Sequence, residues 1–148
     1  MPDLPRKKVG LIACSGEELP EGTVTRRAVR KVLETLRPDD TVTLCLPLFL
    51  AGGEGERAFA RFYPTVAVDG CDKRCAARAT ERYSAKPVAS IVVTEIAKGC
   101  RCGAIGTARR LNECGLRLAD AVAEKIAGET DRQLKKKPGA RAEKADGL

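Results

Sequence analysis

The residues most able to do chemistry in this 148-residue chain are its seven cysteines. They stand at positions 14, 45, 71, 75, 100, 102 and 114. An odd number rules out a disulfide framework that pairs every cysteine within one chain, and it shifts the expectation toward metal, cluster or thiol chemistry. The chain has no histidine. A histidine general base, a Ser-His-Asp triad and a Cys/His zinc finger are therefore excluded, and no other catalytic constellation stands out. Four thiolates suit a tetrahedral Zn2+ or an iron–sulfur cluster.

The stretch VAVDGCDKRCAAR, residues 66–78, carries two of the thiols. Cys71 and Cys75 are i and i+4, so they share a face if a helix starts near Cys71. The N-terminal end of such a helix stabilises negative charge through its dipole and unpaired N–H groups. Lys73 and Arg74 add positive charge, which suits the net negative charge of a zinc tetrathiolate. Asp69 is either a turn former before Gly70 or a hydrogen-bond acceptor behind the thiols. Cys100 and Cys102, in Gly99-Cys100-Arg101-Cys102-Gly103, form a flexible C-x-C dithiol. That pair could cap the first site, hold a second metal, act as a redox couple, or be a plain loop. Ser15-Gly16 suggests an anion-binding turn, but a phosphatase-type C-x5-R loop would need arginine where Pro20 stands. Burial as a small hydrophobe is the competing role for Cys14 and Cys45 and the preferred one for Cys114.

The elements that must position these residues are legible as patterns. Lys8–Cys14, Thr41–Leu46, Thr65–Val68 and Ala89–Thr94 read as apolar or β-branched strands. Thr25–Leu36, Glu54–Tyr63, Lys73–Tyr83 and Thr107–Ile126 read as helices, the last with a stripe of Leu111, Cys114, Leu118, Val122 and Ile126. Apolar strands alternating with helices predict an α/β fold. It is a small doubly wound, Rossmann-like, four-stranded parallel sheet with helices on both faces. Cys14, Cys45 and Cys71 then fall at the ends of strands one, two and three. With strand one between the other two, Cys14 and Cys71 flank the switch point at the carboxyl edge, where open α/β sheets place ligands. Four thiols converge there, with Cys75 one turn beyond Cys71. Cys100, Cys102 and Glu95 follow strand four and fall on the same edge, Glu95 alternatively as a solvated carboxylate.

Size and charge bound the rest. A chain of ~150 residues buries roughly 70% of its unfolded surface, so it needs no metal merely to fold. Residues 1–128 read as a single metal-binding domain and 129–148 as a basic, disordered tail. From Asp131 on, six Lys/Arg face three acids, supplying +3 of the net +7. The five aromatics all lie outside that tail, so base stacking has little to work with there. Nucleic acid is expected only as a weak contact of the tail. No apolar run approaches the ~20 residues of a membrane span. MPDLPRKK leads into the first strand without an apolar signal core, which makes the cytoplasm, where thiols stay reduced, the expected compartment.

ACSG at 13–16, CLP at 45–47, VDGCDKRCA at 68–76 and VTEIAKG at 93–99 occur in that order. Together they resemble the DGC-domain family, named for its Asp-Gly-Cys motif, over about Lys8 to Ala127. The resemblance implies zinc binding through four chelating cysteines, which carry over to Cys14, Cys45, Cys71 and Cys75. Cys100 and Cys102 are additions to that pattern. The expectation is a Zn2+-binding protein whose closed site serves structure, metal handling or a protein partner. The alternative is a redox protein carrying an iron–sulfur cluster or a Cys100/Cys102 dithiol.

Overall fold

The computed structural model describes residues 7–101 and 103–136. Its elements are β1 (Val9–Ala13), α1 (Pro20–Lys31) continuing into a π-helical turn at Val32–Leu36, and β2 (Thr41–Thr43). After these come α2 (Leu46–Ala51), α3 (Glu54–Arg57), α4 (Phe59–Phe62), β3 (Thr65–Asp69) and α5 (Cys75–Tyr83). β4 (Ala89–Val92), α6 (Val93–Cys100) and α7 (Glu113–Lys135) complete the order. The four strands form one parallel sheet in the order β2-β1-β3-β4, as the alternation of apolar strands and helices predicts.

Each strand is buried because both sheet faces are covered. Side chains of a strand alternate between faces. On one face Val9 and Leu11 of β1 and Val66 and Val68 of β3 meet Val24 and Ala28 of α1 and Leu118, Val122 and Ile126 of α7. On the other, Ile12 and Ala67 meet Leu46 and Phe49 of α2 and Ala76 and Ala77 of α5. Strand one thus lies between strands two and three, with the switch point between β1 and β3.

The boundaries differ from the sequence pattern in physically simple ways. Leu46 opens α2 rather than closing a strand, with Pro47 in the first turn where its missing N–H is harmless. Val93 and Thr94 open α6 with no intervening loop. Residues 107–112 are not helical. Gly106 and Leu111 form an antiparallel bridge, and Asn112 caps α7 by accepting the Gly115 N–H at 2.9 Å.

The domain does not end at residue 128. Helix α7 continues past Gly128 to Lys135, because Thr130 and Gln133 are buried against the body. The Arg37 guanidinium donates to both carboxylate oxygens of Asp131 at 2.7 Å. That pairing holds the Asp131 carboxyl below its ordinary range. Its stabilisation is present above that range and lost as pH falls through the lowered value. Both side chains are about a third or more exposed, so solvent screening keeps the contribution small. Residues 137–148 of the expected tail lie outside the described residues. Among those described, no helix is long and apolar enough to cross a membrane.

A chain ending at Gly128 should therefore be less stable than one ending at Lys136 by about 2 kcal/mol or more, because it loses buried side chains. Urea unfolding of the two chains measures this. Equal midpoints would mean the last turns of α7 add nothing.

Candidate metal centre at the carboxyl edge

The alternation of β3 decides what Asp69, Gly70 and Cys71 can do. Ala67 faces the α2/α5 layer, so Asp69, two residues on, faces it too. Its carboxylate lies beneath the start of α5, only 1% exposed. One oxygen accepts the Ala76 N–H at 2.7 Å and the other the Ala77 N–H at 3.1 Å. Arg74, the residue before α5, is left-handed at φ 52° and offers no side-chain cap. Asp69 supplies from the neighbouring strand the acceptor that a capping residue normally provides. Burial pushes the Asp69 carboxyl above its ordinary range, against the pull of the two N–H groups and of Arg74. A carboxyl raised in the folded state favours folding most below its ordinary range, and this advantage declines as pH rises to the raised value.

Gly70 faces the opposite way, toward α1. A Cβ there would stand 2.9 Å from the Glu21 carbonyl carbon and the Gly22 nitrogen. A Cβ on Gly22 would stand 2.1 Å from the Gly16 oxygen. The loop after β1, the first turn of α1 and the loop after β3 therefore touch backbone to backbone, which only glycine allows.

These contacts set the cysteines. Ala13 pairs with Val68 and the Cys14 N–H donates to the Val68 carbonyl at 3.0 Å. Cys14 is thereby level with Asp69, and Cys71 lies two residues further on. Cys45 is the extended residue that caps α2, and Cys75 is the first residue of α5. Cys14 packs on the cluster built by Ile12, Leu46, Phe49, Ala76 and Ala77. Cys14, Cys45 and Cys75 thus stand around the rim of one apolar cluster at the carboxyl edge, with Cys71 on the loop between β3 and α5. All four are free thiols. Cys45 and Cys75 are exposed, Cys14 and Cys71 partly so. Cys14 Sγ lies 3.7 Å from Thr25 Oγ1. The Thr25 hydroxyl donates to the Gly22 carbonyl at 2.6 Å, so its single proton is committed and the thiol is the donor to it.

The donor types fit Zn2+ or an iron–sulfur cluster. Among the described residues, however, no three His, Cys, Asp or Glu side chains are grouped closely enough to hold an ion. The topology brings the four thiols to one edge without closing them into a coordination sphere.

The remaining cysteines part from the sequence pattern. Cys100 is an exposed free thiol at the end of α6. Eight helical residues span about 12 Å, so α6 carries Cys100 away from the strand end where the sequence places it. Cys102 lies outside the described residues. Cys114 is not a buried core thiol. It is half-buried in the first turn of α7 and disulfide-bonded. Glu95 is exposed in the first turn of α6, a solvated carboxylate. Thr25 carries no sequence signal of its role, whereas the period-two alternation of β3 could have assigned Asp69 to α5.

The DGC-domain family model matches residues 10–109. The chain belongs to the DGC-domain family. No curated protein and no solved structure matches it. The DGC match includes Cys14, Cys45, Cys71 and Cys75 and ends before Cys114. In this DGC domain the three residues of the motif do separate work. Asp69 caps α5, Gly70 admits the backbone of α1, and Cys71 presents a thiol.

Asp69→Ala should cost about 1–3 kcal/mol, since two buried N–H groups lose their acceptor. Asp72→Ala, on the exposed turn, should stay within about 0.5 kcal/mol. Denaturant unfolding of both variants at neutral pH checks the contrast, and equal midpoints would remove the capping role.

Proposed function

We propose that this DGC domain binds Zn2+ through Cys14, Cys45, Cys71 and Cys75. The observation that carries the proposal is that four free thiols follow the ends of three neighbouring strands at one end of the sheet, with Cys14 packed on the α2/α5 cluster. Four thiolates would saturate zinc and leave no open position for substrate water, so the bound ion would supply structure rather than hydrolysis. The role that fits a saturated, solvent-facing site is metal handling or contact with a protein partner.

The chain's own residues divide the task. Cys45 and Cys75 are open to solvent and accessible to an arriving ion. Asp69 fixes the start of α5 and so the position of Cys75. Gly16, Gly22 and Gly70 let the Cys14 and Cys71 loops both pack on the first turn of α1. Binding requires the thiols to draw closer together than they stand. An iron–sulfur cluster is the rival occupant of the same donors, and it would make the protein brown and air-sensitive.

Protein purified without oxygen or tag should carry about one zinc per chain and no colour. Cys71→Ser and Cys75→Ser should each lower the zinc content, and Cys100→Ser should leave it unchanged. Unchanged zinc in both Cys71→Ser and Cys75→Ser would refute the assignment. Chelation should lower the melting temperature while far-ultraviolet circular dichroism stays native-like below the transition. The sheet core does not depend on the ion, unlike that of a zinc finger. Collapse of the signal on chelation would contradict this.

A further inference from the structure

Between α1 and the turn that precedes α7, the chain builds a positively charged groove of about 370 Å3. One wall is a helical stripe. Thr23, Arg26, Arg27 and Arg30 recur at i, i+3, i+4 and i+7, so they share a face. Val24, Ala28 and Val29 turn inward on the same helix. The other wall is the turn between Gly106 and Leu111, whose tip carries Arg109 and Arg110. Leu111 and Leu116 supply an apolar floor.

The groove is held in shape. Thr107 and Arg110 exchange backbone hydrogen bonds at 2.8 and 3.2 Å. Gly106 has φ 109°, a conformation that favours glycine. The Thr23 hydroxyl donates to the Ala108 carbonyl and ties the tip to α1. Asn112 fastens the base, its N–H donating to the Ile105 carbonyl at 3.0 Å and its amide to the Ala104 carbonyl at 2.9 Å.

Its charge is poorly neutralised. Arg26 pairs with Glu17 at 2.7 Å, and Arg30 pairs with Glu34. Among the described residues, the side chains of Arg27, Arg109 and Arg110 have no hydrogen-bond or ion-pair partner, and no acidic side chain lines the groove. Converging guanidinium groups in a concave surface concentrate positive potential, and their forked donors match phosphate oxygens. The volume falls in the range of small-molecule sites, about 300–1,000 Å3. No aromatic side chain lines it, so it offers no stacking platform for unpaired bases.

We propose that this groove binds a small molecule through a chain of two or three phosphate groups. The site is distinct from the metal centre, since none of the cysteines lines it.

The test is calorimetric titration of the full chain with inorganic tripolyphosphate in dilute buffer. Saturable binding at about one site per chain is expected, weakened about tenfold or more in the Arg109→Ala/Arg110→Ala double variant. Arg27→Ala should weaken it severalfold. Arg61→Ala, exposed elsewhere on the molecule, should not change it. Circular dichroism and melting of each variant confirm that the exposed substitutions leave the fold intact. Unchanged binding in Cys71→Ser separates this heat from chelation of a bound zinc. Equal affinity for a nucleoside triphosphate would support recognition of the phosphate chain alone, and a tighter one would add contact from the leucine floor. The proposal fails if no saturable binding occurs, or if Arg61→Ala weakens binding as much as the groove variants do. It also fails if a DNA duplex binds more tightly than tripolyphosphate and is lost in the same variants.

Discussion

Two N–H groups at the start of α5 depend on one buried carboxylate from the neighbouring strand. Arg74 cannot cap the helix, so Asp69 must, and it can only because it ends β3 on the face that α5 covers. The next residue faces the other way and must be glycine for α1 to approach. The residue after that leaves the sheet and carries a thiol. The helix, the loop packing and the partly exposed Cys71 are thus consequences of successive positions at the end of one strand. Loss of the carboxylate would release the first turn of α5, and Cys75 with it.

Helix α1 extends that constraint across the molecule. Gly22 and Thr25 face the cysteine loops, where one supplies the close approach and the other receives the Cys14 thiol. Val24, Ala28 and Val29 fill the core. Thr23, Arg26, Arg27 and Arg30 form the arginine wall. Because the helix is rigid and anchored on both sides, the groove and the carboxyl edge are fixed relative to each other while using different residues.

Much of this architecture was legible in the residues. Apolar strands separated by amphipathic helices gave the parallel sheet, and the strand ends placed Cys14, Cys45, Cys71 and Cys75 along one edge. What was not legible depends on three-dimensional partners. The last turns of α7 look like a charged tail, yet Thr130 and Gln133 are buried and Asp131 meets Arg37 from a distant segment. Cys100 looks like a loop residue at the strand end because nothing between Val92 and Val93 marks the direct passage from strand to helix. Cys114 sits at helical spacing from the α7 core residues, but it lies in the first turn, half-buried and disulfide-bonded. The arginine doublets at 26–27 and 109–110 are visible in the sequence; their convergence needs the turn that follows α6.

The cysteines of this chain therefore fall into distinct chemical situations. Four are free thiols at the carboxyl edge, Cys100 is a free thiol one helix away, and Cys114 is oxidised. The first group is the proposed zinc centre, and the most direct measurement on it is zinc-edge X-ray absorption on protein purified without oxygen. Four sulfur neighbours at about 2.3 Å are predicted. A zinc shell of nitrogen or oxygen neighbours, or no zinc in the purified chain, would contradict the four-thiolate centre.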